Sequence, residues 1–215
     1  MFSLSLTETS CKPFLILATA NVKERVNMNA DKRVIGLTGM PGSGKSLVVK
    51  AAQELSYDVV TMGDVIREET AKKGLELNPA NVGKVMLELR ATNGHNVIAD
   101  KCIPKIERKQ NTKVMVDGIR SLVEADAFKN HFSKFVLIAV HASPEQRFTR
   151  LSTRSRSDDP KTFDAFIERD TRELSVGLGN AIAMAEFIII NDNDIDTLKS
   201  RVREILQKAE QKWTK

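Results

Sequence analysis

Residues 33–46 read Arg-Val-Ile-Gly-Leu-Thr-Gly-Met-Pro-Gly-Ser-Gly-Lys-Ser, and the fold is decided here. The last eight, Gly39-Met40-Pro41-Gly42-Ser43-Gly44-Lys45-Ser46, match the pattern GxxxxGK[ST]. Before them Val34-Ile35-Gly36-Leu37-Thr38 reads as a short strand, and from Lys45 to Leu55 the chain reads as a helix, the context the pattern requires. The glycines allow the backbone to wrap a phosphate with its N–H groups, and the helix N-terminus adds a dipole that favours negative charge. Lys45 is then expected to reach the β- and γ-phosphates, and Ser46 to ligate Mg²⁺. The expected ligand of residues 39–46 is a nucleoside triphosphate.

Outward from this loop, β-rich runs alternate with longer helical ones, as in a parallel α/β fold. The other expected strands are Asp58–Met62, Lys113–Asp117, Lys134–His141 and Phe187–Asn191. Helices are expected over Asp64–Lys73, Pro79–Thr92, Val97–Lys109, Leu122–Asn130, Pro144–Thr153 and Thr162–Leu174. A last amphipathic helix carries Ile195, Leu198, Val202, Ile205, Leu206, Ala209 and Trp213 at helical spacing, which makes Trp213 a packing residue. The fold class is therefore α/β: a P-loop NTPase with a five-stranded parallel sheet flanked by helices.

Composition excludes several alternatives. The 215 residues are 41% hydrophobic and 28% charged, a globular balance, and no apolar run approaches the length of a membrane span. Cys11 and Cys102 form neither a disulfide framework nor a metal-binding spacing, which suits a reducing cytoplasm. His95, His131 and His141 show no metal spacing either, and His141 reads as a packed or capping residue at a strand end. The net charge of +5 arises from 33 basic and 28 acidic residues, so the surface is mixed rather than polycationic. Phosphate handling fits this better than nucleic-acid binding, for which a basic stripe is expected. Residues 1–31 differ in texture, with an apolar stretch from Pro13 to Ala20, and read as an N-terminal extension to a domain spanning 32–215.

A second element of the expected site is Val114-Met115-Val116-Asp117, a hydrophobic strand ending in a carboxylate. Alone such an Asp is a turn or cap residue; beside a phosphate loop it is expected to hold Mg²⁺, through water, near Ser46. A third is a series of arginines at loop-like positions: Arg67 in Gly63-Asp64-Val65-Ile66-Arg67, Arg120 in Asp117-Gly118-Ile119-Arg120, then Arg147, Arg150, Arg154, Arg156 and Arg169. Phosphoryl transfer spreads charge over oxygens in a water-poor site, and the planar, permanently charged guanidinium suits that demand. The Asn-Lys-x-Asp segment of guanine-specific switch proteins is missing from Asn191-Asp192-Asn193-Asp194.

This run of motifs resembles the adenylate-kinase and nucleoside-monophosphate-kinase group, and more closely an archaeal family of adenylate-kinase-related proteins, over about Val34 to Ala209. The resemblance implies that Asp64 and Arg67 open an acceptor-binding helix and that Arg120 joins them on the acceptor. It implies that Arg150 and Arg154 contact ATP, and that Arg156-Ser157-Asp158-Asp159 with Arg169 forms a lid closing over the phosphates. Lys45, Arg120, Arg150, Arg156 and Arg169 would then be the catalytic set, Ser46 and Asp117 the metal ligands, and 64–110 a helical acceptor-binding insertion. The lid, spanning 154–172, is short, and the spacing leaves Arg169 and Arg172 both open as its last arginine. A small phosphorylated acceptor, AMP or CMP first, is implied. A dephospho-coenzyme A-type hydroxyl acceptor is the alternative, with Asp64 or Asp117 taking its proton, and a slow or non-catalytic nucleotide-binding regulator is the second.

Overall fold

The computed structural model describes residues 32–154, 159–192 and 194–213. Five strands, β1 (Arg33–Thr38), β2 (Asp58–Thr61), β3 (Lys113–Ile119), β4 (Lys134–His141) and β5 (Phe187–Ile190), form one sheet in the order β2-β3-β1-β4-β5. Every pairing is parallel. The helices between them are α1 (Lys45–Glu54), α2 (Met62–Lys72), α3 (Pro79–Asn93), α4 (Val97–Glu107), α5 (Leu122–His131), α6 (Pro144–Arg154), α7 (Phe163–Ser175), α8 (Leu178–Ala183) and α9 (Ile195–Gln211).

Successive side chains on a strand point to opposite faces, so each inner strand feeds two cores. On one face Val34, Val114, Val116 and Leu137 pack with Ile66 of α2, Val85 of α3, Ile98 and Ile106 of α4 and Phe128 of α5. On the other, Ile35, Leu37, Met115 and Ile138 pack with Val48 of α1 and with Leu198, Val202 and Leu206 of α9. Each of these buried apolar side chains contributes roughly 1.5–3 kcal/mol relative to exposure. Trp213 packs at the edge of the second core, as its spacing with α9 predicts.

Local chemistry sets the helix starts. Asn78, Ser121, Thr162 and Asp194 cap α3, α5, α7 and α9, each side chain accepting a first-turn backbone N–H. α8 escapes the sequence reading because it has only six residues and starts from Gly177 without a side-chain cap. His141, expected to pack or cap, is exposed at the end of β4. β3 runs two residues beyond its expected end. There the register with β1 slips, so that Leu37 faces Asp117 and Thr38 faces Ile119, and Gly118 takes φ 103°. The bulge is held by the Thr38 hydroxyl, which donates to the Ile119 carbonyl at 2.8 Å, and it re-aims the chain leading to Arg120.

With β1 between β3 and β4, the strand order reverses direction at the centre of the sheet. A crevice opens at the carboxyl ends of the strands, where ligands of doubly wound sheets bind. The loop 39–44 and Asp117 both lie at that end.

Candidate active site

The loop joining β1 to α1 is moulded against its surroundings. A Cβ on Gly44, whose φ is 99°, would lie 2.1 Å from Asn191 Nδ2, and one on Gly42 would lie 2.8 Å from the Arg147 carbonyl oxygen. Asn191 is 3% exposed and donates from Nδ2 to the Ser43 carbonyl at 2.8 Å, so the residue that follows β5 pins the loop. Helix α1 begins without a side-chain cap, leaving first-turn N–H groups suited to an anion. Lys45 donates to the carbonyls of Gly39 at 2.5 Å and Met40 at 3.2 Å. Burial lowers its ammonium pKa to about 8, against the opposing pull of Asp117.

Asp117 closes the other side. Burial pushes its carboxyl above the ordinary range, while Lys45 and Arg120 draw it back down. Its Oδ1 is buried with no hydrogen-bond partner among the described residues. An orphaned carboxylate oxygen in a pocket shared with the Ser46 hydroxyl fits a hard divalent cation that takes its remaining ligands from phosphate and water. Among the described residues no group of three or more His, Cys, Asp or Glu side chains could hold a metal by itself.

Two pockets meet at this point. One, of about 370 Å³, is walled by Gly42, Gly44, Ser46, Arg150, Arg154 and Arg169. Arg150 Nη2 donates to the Asn191 carbonyl at 2.8 Å, and its Nη1 is buried without a hydrogen-bond partner. Arg154 and Arg169 converge on the buried Asp159. Arg154 Nε is 3.0 Å from Oδ2 and its Nη2 reaches Oδ1, from which Arg169 Nη1 lies 3.6 Å. Arg172 is exposed and lines neither pocket, so of the two candidate arginines it is Arg169 that faces the site. Arg156 lies outside the described residues.

The second pocket, of about 270 Å³, is bordered by Arg67, Arg90 and Arg120 with Met62, Ile66 and Leu178. Pro41, Lys45, Asp117, Arg120 and Glu173 line both pockets. Asp64 is bonded to Arg67, Nη2 to Oδ1 at 2.6 Å, but borders a neighbouring hollow with Glu68, Lys105 and Arg108. The structure thus brings Arg67 and Arg120 to one pocket and sets Asp64 beside it.

Sequence reasoning missed five residues here: Arg90, Glu124, Asp170, Glu173 and Asn191. Glu124, 1% exposed, accepts from the Arg120 backbone N–H at 2.8 Å and from Arg90 Nη2 at 2.7 Å, joining α3 to the turn after β3. Asp170 takes Arg147 in a buried pair, and Asn191 holds the loop. Glu173 faces the junction. A signal for two of them exists: Phe166, Arg169, Asp170 and Glu173 follow one face of α7 at intervals of three and four, so polar residues share a face with a buried aromatic.

A P-loop domain with a kinase-like fold is defined by this sheet order and loop. The match to the family model described as an AAA domain, over residues 38–165, agrees with it. The chain belongs to the UPF0200 family: it is 45% identical over 179 residues to a UPF0200 protein of Thermococcus onnurineus, covering 81% of this chain and 97% of that one. A UPF0200 protein of Methanocaldococcus jannaschii is also 45% identical, over 176 residues, with 81% and 89% covered. Among solved structures, TT1252 from Thermus thermophilus superposes with a TM-score of 0.60 at 18% identity, over 82% of this chain and 97% of that one. Shikimate kinase from Bacteroides thetaiotaomicron gives 0.55 at 17%, over 81% and 98%. These two show the shared fold. The implied kinase-type fold and archaeal relatives are therefore established. No helix among the described residues is long and apolar enough to cross a membrane.

Proposed function

We propose that this protein transfers the γ-phosphoryl group of Mg·ATP to a small phosphorylated acceptor. The observation that carries the reading is the junction of two arginine-bordered pockets at Lys45, one beside the phosphate loop and one beside the turn after β3. Phosphoryl transfer between two bound anions needs cations on both and a cation between them. Residues 39–46 would wrap the donor phosphates, with Lys45 on the transferring group. Ser46 and Asp117 would hold Mg²⁺, which when bound offsets charge on the donor oxygens. Arg150, Arg154 and Arg169, with Arg156, would secure the donor side, and Arg67 and Arg120 the acceptor, with Asp64 holding Arg67 in place. AMP and CMP are the first acceptors to test. A dephospho-coenzyme A-type hydroxyl acceptor is a second reading, favoured by the carboxylate of Glu173 at the junction.

The test is ADP release from Mg·ATP with AMP, CMP, UMP, GMP, dAMP or dephospho-coenzyme A, with Lys45→Ala as blank and products identified by mass. Acceptor-dependent ADP with a phosphorylated product is expected. ATP binding without turnover in the presence of any acceptor would overturn the reading in favour of a nucleotide-binding regulator.

A further inference from the structure

We infer that Glu173 is the proton-accepting residue of the transfer and that the acceptor group is a hydroxyl; the inference rests on the phosphotransferase reading above and, of its two acceptor readings, takes the hydroxyl in place of the monophosphate oxygen. Glu173 lies on α7, seven residues after the buried Phe166, and its side chain is 17% exposed. It borders both pockets at the point where Lys45 and Arg120 also border both, with Oε2 3.6 Å from Arg120 Nε. A transferring phosphoryl group must cross that boundary. A carboxylate at that boundary is placed to take a proton from an acceptor hydroxyl, whereas Asp117, deeper on β3, already fits the metal.

Charge in the second pocket points the same way. Arg67 is paired with Asp64 at 2.6 Å, Arg90 with Glu124 at 2.7 Å and Arg120 with Glu173 at 3.6 Å. Each arginine there already has a carboxylate beside it. An acceptor whose nucleophile is itself a phosphate oxygen would bring its full charge next to Glu173. A hydroxyl brings none, and it carries a proton that a carboxylate can take. Asp64 is poorly placed for that role: it is more than half exposed, bonded to Arg67, and borders the adjoining hollow rather than the junction.

The step balances with ATP as the only co-reactant. The hydroxyl oxygen forms a bond to Pγ as the bond from Pγ to the bridging oxygen breaks. ADP departs with that electron pair, and the hydroxyl proton passes to the Glu173 carboxylate and then to water. The product is a phosphate monoester rather than a phosphoanhydride.

The experiment incubates the full chain with Mg·ATP and, separately, dephospho-coenzyme A, AMP and CMP, and reads the new phosphorus linkage by ³¹P NMR. Glu173→Gln is measured alongside, with its thermal midpoint and its affinity for a fluorescent ATP analogue. A monoester product is expected, and Glu173→Gln should lower kcat by about 10²–10⁴-fold at unchanged ATP affinity. A phosphoanhydride product, or a folded Glu173→Gln variant that keeps its kcat, would overturn the inference and leave the phosphotransferase reading standing. Should Glu173→Gln fail to fold, the linkage formed by the wild-type chain decides the acceptor group and Glu173→Ala decides the proton-accepting role, a retained kcat overturning it. ATP binding with no acceptor-dependent ADP from any of the three overturns both.

Discussion

The guanidinium of Arg147 meets the carboxylate of Asp170 in a buried two-pronged pair, Nη1 to Oδ1 at 2.9 Å and Nη2 to Oδ2 at 2.5 Å. Nη1 also lies 3.2 Å from the Pro41 carbonyl, and the guanidinium stacks 4.9 Å above the Phe166 ring. A residue in the series of site arginines thus faces away from the pockets and bolts the phosphate loop to α7, the helix that carries Arg169 and Glu173.

Removing one member of this pair leaves the other buried and unpaired, which costs about 3–5 kcal/mol. Asp170→Ala should lower the thermal midpoint by roughly 10 °C for a chain of this size. The double variant Arg147→Met/Asp170→Leu should recover most of that loss, because apolar replacements leave no stranded charge. Thermal unfolding of the two proteins checks this; equal midpoints would mean the pair carries no such strain when halved.

Lys45 should make ATP binding fall off in alkaline solution. Its folded pKa, lowered to about 8, means the free protein loses this cation as pH rises through 8, whereas bound phosphate favours the charged form. Affinity is then steady below pH 8 and declines above it, with proton uptake on binding. The same depression makes folding stability rise with pH between about 8 and the unfolded value of 10.5, since the unfolded chain holds the proton longer. Calorimetric titration in buffers of different ionisation enthalpy reads the uptake; an affinity flat to pH 10 would contradict it.

Asn191→Ala should loosen the phosphate loop. The Ser43 carbonyl loses its buried donor, at about 1–3 kcal/mol for an unsatisfied group, and the wall against Gly44 disappears. Weaker ATP binding at a lower unfolding midpoint is expected. Fluorescence titration together with a denaturant melt would show whether either moves.

Arg67 and Arg169 should separate kinetically. Arg67→Ala is expected to raise KM for the acceptor while sparing ATP, because Arg67 borders the pocket beside the turn after β3 and not the one beside the phosphate loop. Arg169→Ala is expected to lower kcat more than it raises KM for ATP, if its donor-side contact tightens on closure. Steady-state kinetics with both substrates varied distinguishes them, and an effect of Arg67→Ala on ATP alone would misplace the acceptor.

Much of the architecture was legible in the chain because it depends on short-range patterns. The five strands were identifiable by their β-branched runs, and residues 39–46 by a spacing that has one structural use. Asp117 was recognisable because it ends a hydrophobic strand. The partners of Glu173, Asp170 and Asn191 were not, since each acts on a group far along the chain: Glu173 beside Arg120, Asp170 on Arg147, Asn191 on Ser43. Asp64 and Arg67 look alike as motif residues, yet the α2 helix turns them towards different hollows.

What the amino-acid sequence determined by itself is the parallel α/β class and the phosphate loop with its lysine and serine, because backbone wrapping of a phosphate needs those residue types in that order. Which arginines border the pockets, which carboxylate pairs with each of them, and which acid stands at the junction were decided only by the tertiary structure. Those are properties of side chains brought together across the sheet, where burial and pairing set what a charge can do.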